Sequence, residues 1–214
     1  MAFQNRVDPY GRLHAVSARG AWMGNRGVLH DANRRIVAEH RLRRWITCVL
    51  TFKDRRREVF TPNRYTELFF LDEATSLAAG HRPCAECRRS RYDEFRAAWA
   101  SATGRSARSK VDEIDDVLHA ERVDSRGAKR TFEARVASLP DGVLVEHRRR
   151  ACLLWRGAIL PWSFEGYGAA IRISNDARVA VLTPESIVRA IRSGFTPQVH
   201  ASASGDNLTR DALA

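Results

Sequence analysis

The sequence predicts an α+β protein. A first part carries a small antiparallel sheet, and a second β-rich antiparallel part is closed by a C-terminal helix. Three observations predict it. Residues 44–53, "RWITCVLTFK", are β-branched and aromatic-rich. Residues 130–162 alternate apolar and polar positions around a Pro-Asp-Gly turn at 140–142. Helical periodicity is confined to short segments with recognisable caps. The chain has 214 residues, long enough to bury a core without disulfide staples.

The elements follow in order. Residues 1–35 contain Gly11, Gly20, Gly24 and Gly27, a density that predicts loop. The 44–53 segment and "EVFTPNRY", separated by "DRRR", form a hairpin pattern with a charged turn. "TELFFL" at 66–71 is a buried strand. Asp72 is the N-cap of the next helix and Glu73 suits its positive first turn. Gly80 ends that helix, and Pro83 prevents its resumption. A second helix runs from Ser90 to Ala100, with Tyr92, Phe95 and Trp99 on one face. Residues 101–112 form a linker between a 1–100 part and a 113–200 part. "DEIDDVLHAERV" is a short acidic helix, 130–162 supplies three or four antiparallel strands, and "RVAVLT" supplies another. Thr183 and Pro184 open the last helix at N-cap and N1, and Gly194 closes it. Residues 201–214 are expected to be a disordered tail.

Lys and Arg total 36 against 25 Asp and Glu, a formal charge of +11. That balance points to an anionic partner, most simply nucleic acid, with DNA preferred. The competing reading is an arginine-rich surface without such a partner. No apolar run is long enough for a membrane span, and the N-terminus lacks a signal-peptide h-region. The four cysteines, Cys48, Cys84, Cys87 and Cys152, do not make a secreted disulfide framework. A cytoplasmic protein with reduced thiols and no membrane partner is expected.

Cys84 and Cys87 form a C-x-x-C directly after a helix stop. Redox dithiols begin a helix, where the dipole lowers the thiol pKa; this pair follows one, which favours a zinc knuckle. Cys48 reaches the pair if its strand packs nearby. His81, His30, His40 and His119 are further ligand options, and Cys152 reads as a core thiol.

The string "FFLDEATSLAAGHRPCAECRR" resembles the second half of the Ada-type metal-binding domain of bacterial alkylation-repair proteins. Phe69, Phe70, Ala79, Gly80, His81, Arg82, Pro83, Cys84 and Cys87 carry the resemblance, over about twenty-five residues. It implies zinc on Cys84 and Cys87. The family's two upstream ligands are missing, since "TPNRYTEL" holds no Cys or His, so the methyl-acceptor role is not implied. Beyond this segment, the chain looks like uncharacterised bacterial proteins of similar layout.

The N-terminal loop places His14, Arg19, Arg26 and His30 among glycines. Arg19 and Arg26 suit phosphate, as do Arg82, Arg88 and Arg89 beside the knuckle. His14 and His30 are the candidates for general acid and base. "PWSFEGYG" at 161–168 is either an aromatic stacking platform for bases or a rigid turn packing aromatics into the core. The leading expectation is a DNA-binding protein in a repair or regulatory setting. The alternatives are a nuclease or other hydrolase working through His14 and His30, and a protein-interaction scaffold. Convergence of His14, Arg26, His30 and His81 in one cleft would favour the enzyme.

Overall fold

A computed structural model describes residues 2–53, 58–106 and 109–204. These residues form an α+β fold of two six-stranded sheets and four α-helices. The arginines at 55–57 and the tail from 205 lie outside the described residues.

The first sheet contains β1 (Gln4–Val7), β2 (Leu13–Ala15), β3 (Trp22–Asn25), β4 (Ile46–Cys48), β5 (Leu68–Phe70) and β6 (Arg82–Pro83). Its order is β2-β1-β5-β3-β4-β6. The β1–β5 and β4–β6 pairs are parallel and the others antiparallel. Three of these strands lie where glycine density predicts loop, and the glycines explain why. A Cβ on Gly24 would come 2.3 Å from the Phe70 ring, and one on Gly20 would come 2.5 Å from the Phe70 carbonyl oxygen. These glycines permit close packing within a sheet. The expected hairpin between 44–53 and 58–65 does not form. β4 pairs instead with β3 and β6, and 58–67 is turn and coil up to β5. Pro62 and the positive φ of Phe60 and Asn63 interrupt any ladder there.

The helix α1 (Glu73–Ala78) begins as expected. Asp72 Oδ1 accepts from Thr75 N at 2.8 Å and from the Thr75 hydroxyl at 2.6 Å. Gly80 has φ +88°, the left-handed conformation that closes a helix. The helix α2 spans Arg89–Thr103 and α3 spans Val111–Arg122, so both intrude on the expected 101–112 linker. Leu77, Phe95 and Trp99 share one buried cluster with Ile114, Val145, Val181 and Ile187. Residues from both sides of the linker therefore build a common core.

The second sheet contains β7 (Phe132–Arg135), β8 (Leu144–His147), β9 (Arg150–Trp155), β10 (Ala158–Ser163), β11 (Gly166–Tyr167) and β12 (Arg178–Val181), ordered β11-β10-β9-β8-β12-β7. All its pairs are antiparallel. The helix α4 (Glu185–Arg192) buries Ile187, Val188, Ala190 and Ile191, a 3.6-residue stripe. Phe195, just beyond it, meets Phe95 of α2 edge-on at 5.3 Å. Thr183 does not cap α4. Its hydroxyl accepts from Leu144 N at 3.0 Å, and Pro184 stands at the cap position. Ala201–Ser204 form a short 3-10 turn with Ala203 buried, so the first residues of the expected tail are ordered.

Candidate metal centre and cationic pocket

The sequence between β5 and α2 folds into a loop that stitches itself to distant elements, and this positions the thiols. Asp72 caps α1 and also accepts from the Tyr167 hydroxyl at 2.8 Å and from His200 N at 2.9 Å. Glu73, wholly buried, accepts from Arg88 Nη2 at 2.7 Å, Arg91 Nη2 at 2.7 Å and Gln198 N at 2.9 Å. Arg82 grips Asp115 with two parallel bonds, Nε to Oδ1 at 2.9 Å and Nη2 to Oδ2 at 2.8 Å. The geometry is the forked pairing that guanidinium and carboxylate favour. The expectation that Arg82 and Arg88 read phosphate is corrected here. Both guanidiniums are buried and already committed to carboxylates.

The loop delivers Cys84 beside Cys48. β6 runs parallel to β4, with Arg82 N donating to Trp45 O at 3.1 Å and Cys84 N to Thr47 O at 2.9 Å. Cys48 ends β4 and Cys84 follows β6, so both sulfurs emerge at the same end of the pair. A tight turn, closed by Arg88 N to Cys84 O at 3.1 Å, brings Cys87 back over them. The three ligand atoms lie within 4.8 Å of one another and can hold a metal ion. Zinc–sulfur bonds of about 2.3 Å at tetrahedral angles place sulfurs about 3.8 Å apart, which suits this cluster. Cys84 is pulled toward thiolate because the Cys48 and Cys87 thiols donate to it, helped by backbone N–H groups. Cys48 is pushed up mainly because it is the donor to Cys84. A cation would replace those shared protons. Met23, Ile46, Tyr65 and Phe69 pack around the cluster.

Among the described residues the group contains three ligands, one short of a closed structural zinc site. The histidines raised as options engage other partners. His81 Nε2 accepts from Arg26 Nε at 3.1 Å. His40 and His119 stack edge-on at 5.4 Å. His30 Nε2 donates to Thr61 O at 3.2 Å, and its Nδ1 accepts from the Thr66 hydroxyl at 2.7 Å. Cys152 is a buried core thiol whose pKa burial pushes up to about 11.

Of the four residues whose convergence would mark an enzyme, only Arg26 and His81 touch. His14 pairs with Asp8 at 2.8 Å and meets Phe164 edge-on. His30 is buried, bonded through both ring nitrogens, and packed on Phe60. Nothing links the two as acid and base. The aromatic turn is structural: Trp162 Nε1 donates to the Thr75 hydroxyl at 2.9 Å, and Tyr167 is buried against Asp72. Of the expected phosphate-contacting arginines, Arg19 and Arg89 are exposed, while Arg26 is buried.

Arg26 belongs to a feature that sequence reasoning located only in part. It lines a cavity of about 210 Å³ with Arg12, Arg122, Lys129 and Trp45. Gly80 makes this possible, because a Cβ there would come 2.5 Å from Arg122 Cδ. Both the Arg26 and Arg122 guanidiniums lie 4.0 Å from the Trp45 ring, a cation–π arrangement. Burial pushes Arg26 and Arg122 down to about 9. Lys129, covered and repelled by both, falls to about 7. Burial and the same two arginines hold His81 well below its ordinary value. The involvement of Arg122 and Lys129 had no signal in the sequence, where one ends an acidic helix and the other sits in a turn.

No family model, curated protein or solved structure matches this chain.

Proposed function

We propose that this chain is a zinc–thiolate protein that binds nucleic acid, DNA before RNA, in a repair or regulatory setting and without methyl transfer. The observation that carries the metal half is the convergence of Cys48 at the end of β4, Cys84 just after β6 and Cys87 in the turn that follows. Zinc matches a thiolate-rich, borderline-soft donor set. Its role is to tie β4, β6 and α2 together, with water or a ligand in the fourth position. The Ada-type resemblance of the 69–87 segment supports the same reading.

The net charge of +11 supports the nucleic-acid half. The contact set differs from the one the sequence suggests. Arg19 and Arg89 stay exposed, as do Arg41, Arg43, Arg44 and Arg148–Arg150. The exposed pairs Arg89–Asp93 and Arg43–Asp116 are weak enough for phosphate to displace. Among the described residues no helix is long and apolar enough to cross a membrane.

Elemental analysis and duplex titration test the two halves separately. Purified protein is expected to hold about one zinc per chain, and Cys84→Ser to lose it. Duplex affinity is expected to fall with salt along a log–log slope equivalent to roughly 4–8 phosphates. Arg19→Ala and Arg89→Ala are expected to weaken it. Metal-free protein with three freely titrating thiols ends the zinc reading. Absence of duplex retention at low salt ends the nucleic-acid reading.

A further inference from the structure

We propose that the cavity between the β1–β2 turn, the end of β3 and the α3–β7 turn binds a phosphoryl group, as free phosphate or as the terminal phosphate of a nucleotide or oligonucleotide. This goes beyond the function proposed above and requires neither the metal nor duplex contact.

The case rests on buried charge without compensation. Four cationic side chains, Arg12, Arg26, Arg122 and Lys129, line the cavity against one carboxylate, Glu39. Arg26 and Arg122 are 1% and 0% exposed. Arg26 gives Nη1 to Gly11 O at 2.9 Å and Nε to His81, which leaves Nη2 without a partner. A Cβ on Gly11, itself in the cavity wall, would come 3.5 Å from that Nη2. Arg122 gives its terminal nitrogens to Gly80 O, Arg43 O and His119, and its Nε has no partner. Among the described residues Lys129 Nζ reaches only a backbone carbonyl, that of Ala78, and none of the three cations bonds a carboxylate.

The nearby acids are engaged elsewhere. Asp115 is held by Arg82 in two bonds. Asp8 accepts from Arg12 N at 2.9 Å and pairs with His14 at 2.8 Å. Buried cations are normally paired, and no described carboxylate bonds these three, so the site calls for an added anion. An excess of cations over the single Glu39 favours a dianion over a carboxylate. Arginine forks match the tetrahedral phosphoryl oxygens. At about 210 Å³ the cavity is smaller than a site for a drug-sized ligand. It suits phosphate or the end of a longer molecule.

Isothermal titration at fixed ionic strength tests this with inorganic phosphate, AMP, acetate, and a 12-mer oligonucleotide bearing either a 5′-phosphate or a 5′-hydroxyl. The folded full chain is expected to bind phosphate. Lys129→Met and Arg26→Met should each lose at least about tenfold in affinity, and the exposed Arg172→Ala should lose none. Lys129, less buried than Arg26, keeps the test informative if Arg26→Met fails to fold. A preference for the 5′-phosphorylated oligonucleotide assigns the site to nucleic-acid ends. Phosphate binding with no such preference assigns it to a free phosphate or phosphomonoester. Either supports the site, and phosphate binding without duplex binding leaves it standing while the nucleic-acid reading falls. Tighter binding of acetate than phosphate overturns it, as does phosphate affinity unchanged in Lys129→Met or absent from the wild type.

Discussion

Replacing Arg82 with alanine separates a structural role from the phosphate-contacting role its sequence position suggests. The Arg82 and Asp115 side chains are 1% and 4% exposed and share two bonds of 2.9 and 2.8 Å. Arg82→Ala leaves Asp115 buried on α3 without its partner. Burial already raises the Asp115 pKa, and the Arg82 bonds are what oppose it. Removing one member of such a pair costs about 3–5 kcal/mol, because the surviving charge stays desolvated. For a chain of this length, about 1 kcal/mol moves the melting temperature by roughly 2–4 °C. The expected drop is therefore roughly 6–20 °C. Urea unfolding and calorimetry read it directly. The double variant Arg82→Met/Asp115→Leu should recover most of the loss, since replacing both charges removes the desolvation penalty with the attraction. An Arg82→Ala protein with wild-type stability but weakened DNA binding would refute the assignment and return Arg82 to the surface.

Three further outcomes follow. Glu73→Ala should destabilise by several kcal/mol, because it leaves Arg88 buried and frees Arg91 and Gln198 N; a change below about 0.5 kcal/mol in urea unfolding would contradict this. Gly80→Ala should cost about 1–2 kcal/mol for the positive φ, plus the displacement of Arg122 from a contact of 2.5 Å; unchanged phosphate affinity and stability would contradict it. Lys129 is held down to about 7 in the fold from 10.5. Between those values the unfolded chain binds the proton that the native chain has lost, so this group's contribution makes stability rise with pH from about 7 to about 10.5. Comparing the pH dependence of unfolding in wild type and Lys129→Met isolates that contribution, and identical profiles would remove it.

The sequence carries the local structure of the Asp72–Cys87 segment almost completely. An N-cap, a left-handed glycine and a proline stop are short-range signals, and the structure uses each where it was expected. The N-terminal segment misleads, because Gly20 and Gly24 serve close approach to Phe70 and Phe69 within the sheet, while Gly11 and Gly27 take the positive φ of turns. Sequence alone does not distinguish those two uses. The Cys48 partnership was legible only as a possibility, since it depends on the parallel β4–β6 pairing, a contact between segments more than thirty residues apart. The arginines were misjudged for a physical reason. A guanidinium reads as surface charge until its carboxylate is located, and Asp115 and Glu73 become visible as partners only once α1, α2 and α3 are packed. The same packing creates the cationic pocket. It brings Arg26 from beyond β3, Arg122 from the end of α3 and Lys129 from the α3–β7 connection together, with no described carboxylate bonded to any of them.

X-ray absorption at the zinc edge of the protein as purified reads the metal centre itself. About one zinc per chain is expected, in a shell of three sulfurs at about 2.3 Å and one lighter atom at about 2.0–2.1 Å, with the signal lost in Cys84→Ser. Protein without zinc, or zinc surrounded only by nitrogen and oxygen, would contradict it.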